Sequence, residues 1–284
     1  MSKLFVGFLL FFLVQCQHKE DSYLKDKPIE NFDEHQVHNN PEFKNLMDKD
    51  FFRSQDANTI WSVDVRAFGP KGEKILLYKY NSKTLVRPAS TNKILTLWTY
   101  FHVFPEVING GPQFDELKEM MKYSDNYLAD NAYKKAEAKA GGKQAIVDIF
   151  REHGVNGVFQ VDGSGLSYNN KVNAYSLVKV LSTIRDGIYQ KAFRSVLPIG
   201  GVDGTLAGRN LLSASQCGAY VTAKTGTLTD DPEAALAGFA NLTNGWTIVF
   251  AMLGDSVSSV EEGRQSIDYA VCDAVTEVKR ISKK

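Results

Sequence analysis

Segments with strand character stand at both ends of this 284-residue chain, and segments with helix character stand between them. Ile60–Phe68 alternates well enough for a strand, and Lys74–Tyr80 follows it across the turn-forming Gly69-Pro70-Lys71-Gly72, which predicts a hairpin. Residues 221–228, 234–242 and 246–253 read as three more strands. The last two join through Thr243-Asn244-Gly245, whose Asn-Gly step is the strongest short hairpin signal. Phe43, Leu46, Met47 and Phe51 recur at helical spacing, and Val260, Ile267, Val271, Ala274, Val275, Val278 and Ile281 make an amphipathic C-terminal helix. The economical assembly is one five-stranded antiparallel sheet built from both termini and flanked by helices. With a helical lobe inserted between its halves, this is an α+β fold.

Residues 1–16 read as an address rather than as structure. Lys3 supplies the positive start, and residues 4–14 form an uncharged apolar run, too short to span a bilayer but suited to an export signal. A cleaved signal and a periplasmic protein is the first expectation. The alternative is a lipid anchor on Cys16, and membrane contact is expected only in that case. Residues 17–42 are charged and amide-rich, with few large apolar side chains, and are expected to be a tether or a loosely docked segment. His35 and His38 fall within it and are expected to be solvated. A catalytic domain is then expected over residues 43–284, with sheet from 58–80 and 221–253 and the helical lobe at about 88–215. The chain carries 33 basic and 33 acidic side chains; loss of residues 1–16 removes one lysine, leaving 32 − 33 = −1. Such a balance argues against nucleic-acid binding, which wants a basic surface. Cys217 and Cys272 remain after the address; a bridge and two separate thiols both stay open.

Three short motifs carry chemistry. Ser90-Thr91-Asn92-Lys93 lies at the start of an apolar helix, where spacing three apart lets an amine reach a hydroxyl. A serine hydroxyl is a weak nucleophile until a base takes its proton, and a helix N-terminus adds positive potential where an oxyanion would form. Ser124-Asp125-Asn126 precedes another helix, which either residue of Ser124-Asp125 would cap. Lys224-Thr225-Gly226-Thr227 ends a strand and offers a cation, hydroxyls and a glycine that permits close approach of a ligand backbone. Each is ordinary alone: a chance spacing, a helix cap, a strand running into a turn. Their joint occurrence, in this order, is the signature of β-lactamases and penicillin-binding proteins.

On these motifs the chain resembles the low-molecular-mass class C penicillin-binding proteins, the D-Ala-D-Ala carboxypeptidase/endopeptidase family. The same wording extends through Arg87-Pro88-Ala89, Asp162-Gly163-Ser164-Gly165-Leu166-Ser167 and Leu197-Pro198-Ile199-Gly200-Gly201-Val202-Asp203-Gly204-Thr205-Leu206, over about residues 58–255. The resemblance implies a penicillin-recognising serine transpeptidase/β-lactamase-like fold and no metal or other cofactor. It implies Ser90 as nucleophile, Lys93 as general base, and Ser124, held between Lys93 and Lys224, as proton relay. Asn126 would bind a substrate amide, Lys224 and Thr225 its terminal carboxylate, and the N–H groups of Ser90 and Thr227 its oxyanion. Gly226 belongs to the same binding strand, and Leu166 would touch the peptide stem. Peptidoglycan stem peptides and cross-links are the implied substrates, with β-lactams as covalent inhibitors.

Family members usually carry large domains between the first two motifs; here Ser90 and Ser124 are 34 positions apart. A cleft without those domains is expected to admit cross-linked polymer, which favours D,D-endopeptidase activity alongside carboxypeptidase activity. The rival within the superfamily is a class A-like β-lactamase, for which Glu152 in Glu152-His153-Gly154-Val155-Asn156 would have to activate water. Gly154 stops a helix there, so Glu152 reads as a surface helix residue. A non-catalytic β-lactam sensor is the second alternative. A monomer is expected.

Overall fold

The computed structural model describes residues 32–52 and 56–283, so the expected signal lies outside the described residues. The chain opens with the short strand β1 (Gln36–Val37) and the helix α1 (Pro41–Phe52), then the hairpin β2 (Ile60–Phe68) and β3 (Lys74–Tyr80). A helical region follows: α2 (Asn92–Val103), α3 (Pro112–Tyr123), α4 (Asn126–Ala140) and α5 (Lys143–Glu152). The two-residue strands β4 (Val158–Phe159) and β5 (Lys171–Val172) pair with each other, and α6 (Ala174–Asp186), α7 (Gln190–Val196) and α8 (Ala214–Cys217) complete the region. The chain closes with β6 (Tyr220–Leu228), β7 (Glu233–Asn241), β8 (Thr247–Asp255) and α9 (Val260–Ile281).

The main sheet runs β1-β3-β2-β8-β7-β6, so the strands from the two ends of the chain meet where β2 pairs antiparallel with β8. Both of its faces are covered. In β8, Val249, Ala251 and Leu253 join the core shared with α2 and α6, while Ile248, Phe250 and Met252 join the core beneath α1 and α9. Period-two alternation sends successive side chains to opposite faces, and apolar residues fill both sets, which explains the unbroken hydrophobic runs of β7 and β8. The three polar side chains of β2, Ser62, Asp64 and Arg66, are bonded internally: Asp64 pairs with Arg66, and Ser62 Oγ accepts from Ala174 N. Helix α2 is buried from Asn92 to Phe101, which makes it the axis of the helical region rather than a surface helix.

Two expectations are corrected. The sheet has six strands rather than five, because Gln36–Val37 adds in parallel to the β3 edge. The described part of the expected tether is docked, not loose. Phe32 is buried beneath the Arg66 guanidinium, which lies 3.8 Å from its ring centroid and donates to its carbonyl. His35 is buried and bonded to the Phe32 carbonyl, and His38 pairs with Glu277 on α9, so neither histidine is solvated. The segment has few apolar residues, so its docking combines the buried Phe32 ring with hydrogen bonds and charge that hydropathy does not register. Cys217 and Cys272 form a disulfide that ties α8 to α9.

Candidate active site

Ser90 sits in a tight turn of 3-10 helix, Ala89–Thr91, immediately before α2, and Lys93 is the second residue of α2. The turn is entered through Ala89 at φ 45°, left-handed backbone that a residue with a Cβ rarely adopts. Neighbours hold it there. Arg87, two positions earlier, donates its backbone N–H and side chain to Asp255 and also contacts Asp231 and Glu233. Burial pushes the Glu233 carboxyl up to about 8 against the opposing charge of Arg87. On the far side, Gly165 packs so closely on Ala89 that a Cβ there would lie 1.9 Å from the Ala89 carbonyl oxygen.

The Lys93 amine is buried and has three oxygen partners: Ser90 Oγ at 3.0 Å, Asn126 Oδ1 at 2.8 Å and the Ser164 carbonyl at 2.7 Å. Asp130 accepts from the N–H groups of Gly163 and Ser164, and so aims that carbonyl at the amine. Burial lowers the Lys93 pKa to about 8, opposed by the more distant carboxylates of Asp130, Asp162 and Asp125. Lys224 is fully buried and donates to Ser124 Oγ at 2.9 Å and to the Thr225 carbonyl at 2.9 Å. Burial and the charge of Lys93 hold its pKa well below that of a free lysine.

Ser124 occupies the left-handed link between α3 and α4 at φ 65°, and Asp125 caps α4 by accepting from Leu128 N. The helix-cap reading therefore holds for Asp125, while its two neighbours reach the amines. Strand β6 is the sheet edge. Up to Ala223 that edge is covered, because Gly200 N donates to the Val221 carbonyl and Ala223 N to the Pro198 carbonyl. Alternation along the strand puts the N–H groups of Thr225 and Thr227 on the same outer side, beyond the cover. Ser90, Ser124, Thr205, Thr225, Thr227, Arg209 and Arg264 face one cleft of about 660 Å³.

Ser124 bonds to Lys224 rather than bridging both amines, since the partners of Lys93 are Ser90, Asn126 and Ser164. Gly226 serves the protein's own packing: a Cβ there would lie 2.8 Å from the Pro88 carbonyl oxygen, which is how β6 reaches the Ser90 turn. The amide oxygen of Asn126 is committed to Lys93. Leu166 is 48% exposed on the loop after Asp162. Glu152 ends α5 on the surface, as its sequence context predicts. Sequence reasoning missed Asp130, Thr205 and Arg264. Thr205 lies within a motif already noted and bonds Thr225 Oγ1 at 2.8 Å; Asp130 and Arg264 carry no local signal.

A family model, the D-Ala-D-Ala carboxypeptidase 3 (S13) family, matches residues 107–274, which hold Ser124, Asn126, Lys224 and the rest of the β6 motif. The chain belongs to this family. Among its curated relatives, the D-alanyl-D-alanine carboxypeptidase DacB of Haemophilus influenzae is 34% identical over 159 residues, 52% of this chain and 33% of the relative. The carboxypeptidase DacB of Mycolicibacterium smegmatis is 32% identical over 175 residues, 57% of this chain and 37% of the relative. The chain thus spans about a third of the length of these family members. A β-lactamase from Sphaerobacter thermophilus shares the fold at TM-score 0.63 and 15% identity, covering 82% of this chain and 96% of that one.

Proposed function

We propose that the chain is a serine D,D-peptidase of peptidoglycan that works through an acyl-enzyme and is acylated by penicillin. The observation that carries this reading is the pairing of two buried amines with two hydroxyls in one cleft: Lys93 with Ser90, and Lys224 with Ser124. A neutral amine has two N–H donors and one lone pair. Lys93 can donate to Asn126 and the Ser164 carbonyl while accepting the Ser90 proton, the arrangement a general base needs. Its pKa of about 8 leaves a useful neutral fraction at neutral pH.

A peptide laid along the open end of β6 puts its carbonyl between Ser90 and the outward N–H of Thr227. Ser90 Oγ bonds to the carbonyl carbon as its proton passes to Lys93, and the N–H groups of Ser90 and Thr227 receive the oxyanion. The C–N bond then breaks. The departing amine takes the proton that Lys93 received from Ser90, passed through the Ser124 hydroxyl, which Lys224 holds in place. Water releases the acyl group by the reverse proton path. Asn126 keeps its amide N–H groups to offer the substrate backbone. Residues 1–16 as an export signal would deliver the enzyme to the periplasm, where this polymer lies.

Cross-linked dimers are proposed as substrates beside free pentapeptides, because Ser124 stands only 34 positions after Ser90. Ser90→Ala is expected to abolish covalent labelling by a fluorescent penicillin; persistent labelling would falsify the nucleophile. Digestion of purified dimers and pentapeptides side by side tests the substrate. Monomers released from the dimer support endopeptidase activity, and an untouched dimer with trimmed pentapeptide removes it.

A further inference from the structure

We infer that Arg264, on the first turns of α9, is the specificity-determining cation that reads the carboxylate on the leaving side of the scissile bond. The inference rests on the peptidase reading above and deepens it. Substrates of a D,D-peptidase carry a carboxylate on the carbon next to the scissile nitrogen, so a charged partner is wanted near Thr225 and Thr227. Lys224 is poorly placed to be that partner. Its amine is fully buried, and its hydrogen bonds go to Ser124 and the Thr225 carbonyl. The Thr225 hydroxyl is engaged with Thr205. Both threonines are also uncharged.

Arg264 lines the same cleft, and its guanidinium donates to Thr227 Oγ1 at 3.1 Å. Arginine is a cation whose planar fork matches a carboxylate in two parallel hydrogen bonds. Its surroundings hold it in place without cancelling it. The other guanidinium in the cleft, Arg209, is taken up by Asp268, donating Nε at 2.7 Å and a second N–H to the other carboxylate oxygen. Arg209 also donates to the Arg264 backbone carbonyl at 3.1 Å, tying the loop that follows Thr205 to α9. The Cys217–Cys272 bridge anchors the same helix two turns further on. Asp268 is thereby spent on Arg209, and Arg264 is bonded to a neutral hydroxyl. Glu261 is the remaining carboxylate lining the cleft; it is exposed at the mouth, where solvent screens it.

The test compares two acyl donors that differ only at that group: an N-acyl-D-Ala-D-thiolactate and its methyl ester. The unsubstituted protein is expected to favour the acid. In Arg264→Gln, kcat/KM for the acid is expected to fall about ten- to hundred-fold, chiefly through KM, with the ester unchanged. Arg264→Lys should retain part of the preference. An equal fall on both donors would mean a structural role, and an unchanged acid rate would mean no role; either overturns the inference. If Arg264→Gln does not fold, the acid-to-ester ratio of Arg264→Lys decides, and a ratio equal to that of the unsubstituted protein overturns it. Equal rates on the two donors in the unsubstituted protein sink the inference alone, whereas no acylation of Ser90 by either sinks the peptidase reading beneath it.

Discussion

Lys93 gains its reactivity from burial. Desolvation disfavours the ammonium and brings the pKa to about 8, although three carboxylates farther off pull the other way. The base must be neutral to take the Ser90 proton, so activity belongs to pH values above that pKa and is lost as pH falls through it. Acylation kcat/KM is expected to level off above about pH 8 and to drop about tenfold for each unit below it. A stopped-flow pH profile checks this; a flat profile between pH 5 and 8 would remove Lys93 as the titrating base. Ser90, Lys93, Ser124 and Lys224 were legible in the sequence because each stands in a short motif and the motifs keep their order. Asp130 was not, since its work is done on N–H groups 33 and 34 positions away. Arg264 was not, since its partner Thr227 is 37 positions earlier.

The elements that carry the site are held by close backbone contacts. The Ser90 turn is gripped between Gly165 on one side and Gly226 on the other, and its left-handed Ala89 persists because both neighbours leave no alternative. Gly165 itself has φ +88°, so Gly165→Ala meets both a strained backbone and the Ala89 carbonyl. A loss of roughly 2–4 kcal/mol is expected, with a fall in penicillin acylation larger than the fraction unfolded explains. Thermal melting and labelling of the same samples separate the two effects. The Cys217–Cys272 bridge closes a 55-residue separation, and in the chain-entropy account it restrains the unfolded chain by about 4 kcal/mol. Cys217→Ser with Cys272→Ser is expected to lower the melting temperature markedly, and an unchanged melt would show that the bridge does not stabilise the fold. The sequence left a bridge and two separate thiols equally open, because the distance between the cysteines depends on how α8 folds back against α9.

At the scale of the molecule, the site and the N-terminal segment lie at opposite edges of the sheet, β6 at one and β1 at the other. Deletion of residues 1–40 removes β1, the buried Phe32 ring and a hydrogen bond to Arg66. Stability is expected to fall by about 2 kcal/mol or more from the Phe32 burial alone, while the acylation rate of the folded fraction stays near that of the full chain. Loss of acylation in a fully folded truncated protein would instead couple the two edges. The sequence by itself determined the hairpins, the first and last helices, those that follow the first two motifs, and the order of the three motifs, because turn residues, side-chain periodicity and motif spacing are local properties. Only the tertiary structure decided which hydroxyl each amine meets, that both amines are stripped of water, that Gly226 packs against the Ser90 turn, and that residues 32–40 dock. Those outcomes depend on contacts between residues tens to hundreds of positions apart and on the burial that packing creates, and neither quantity exists until the chain has folded.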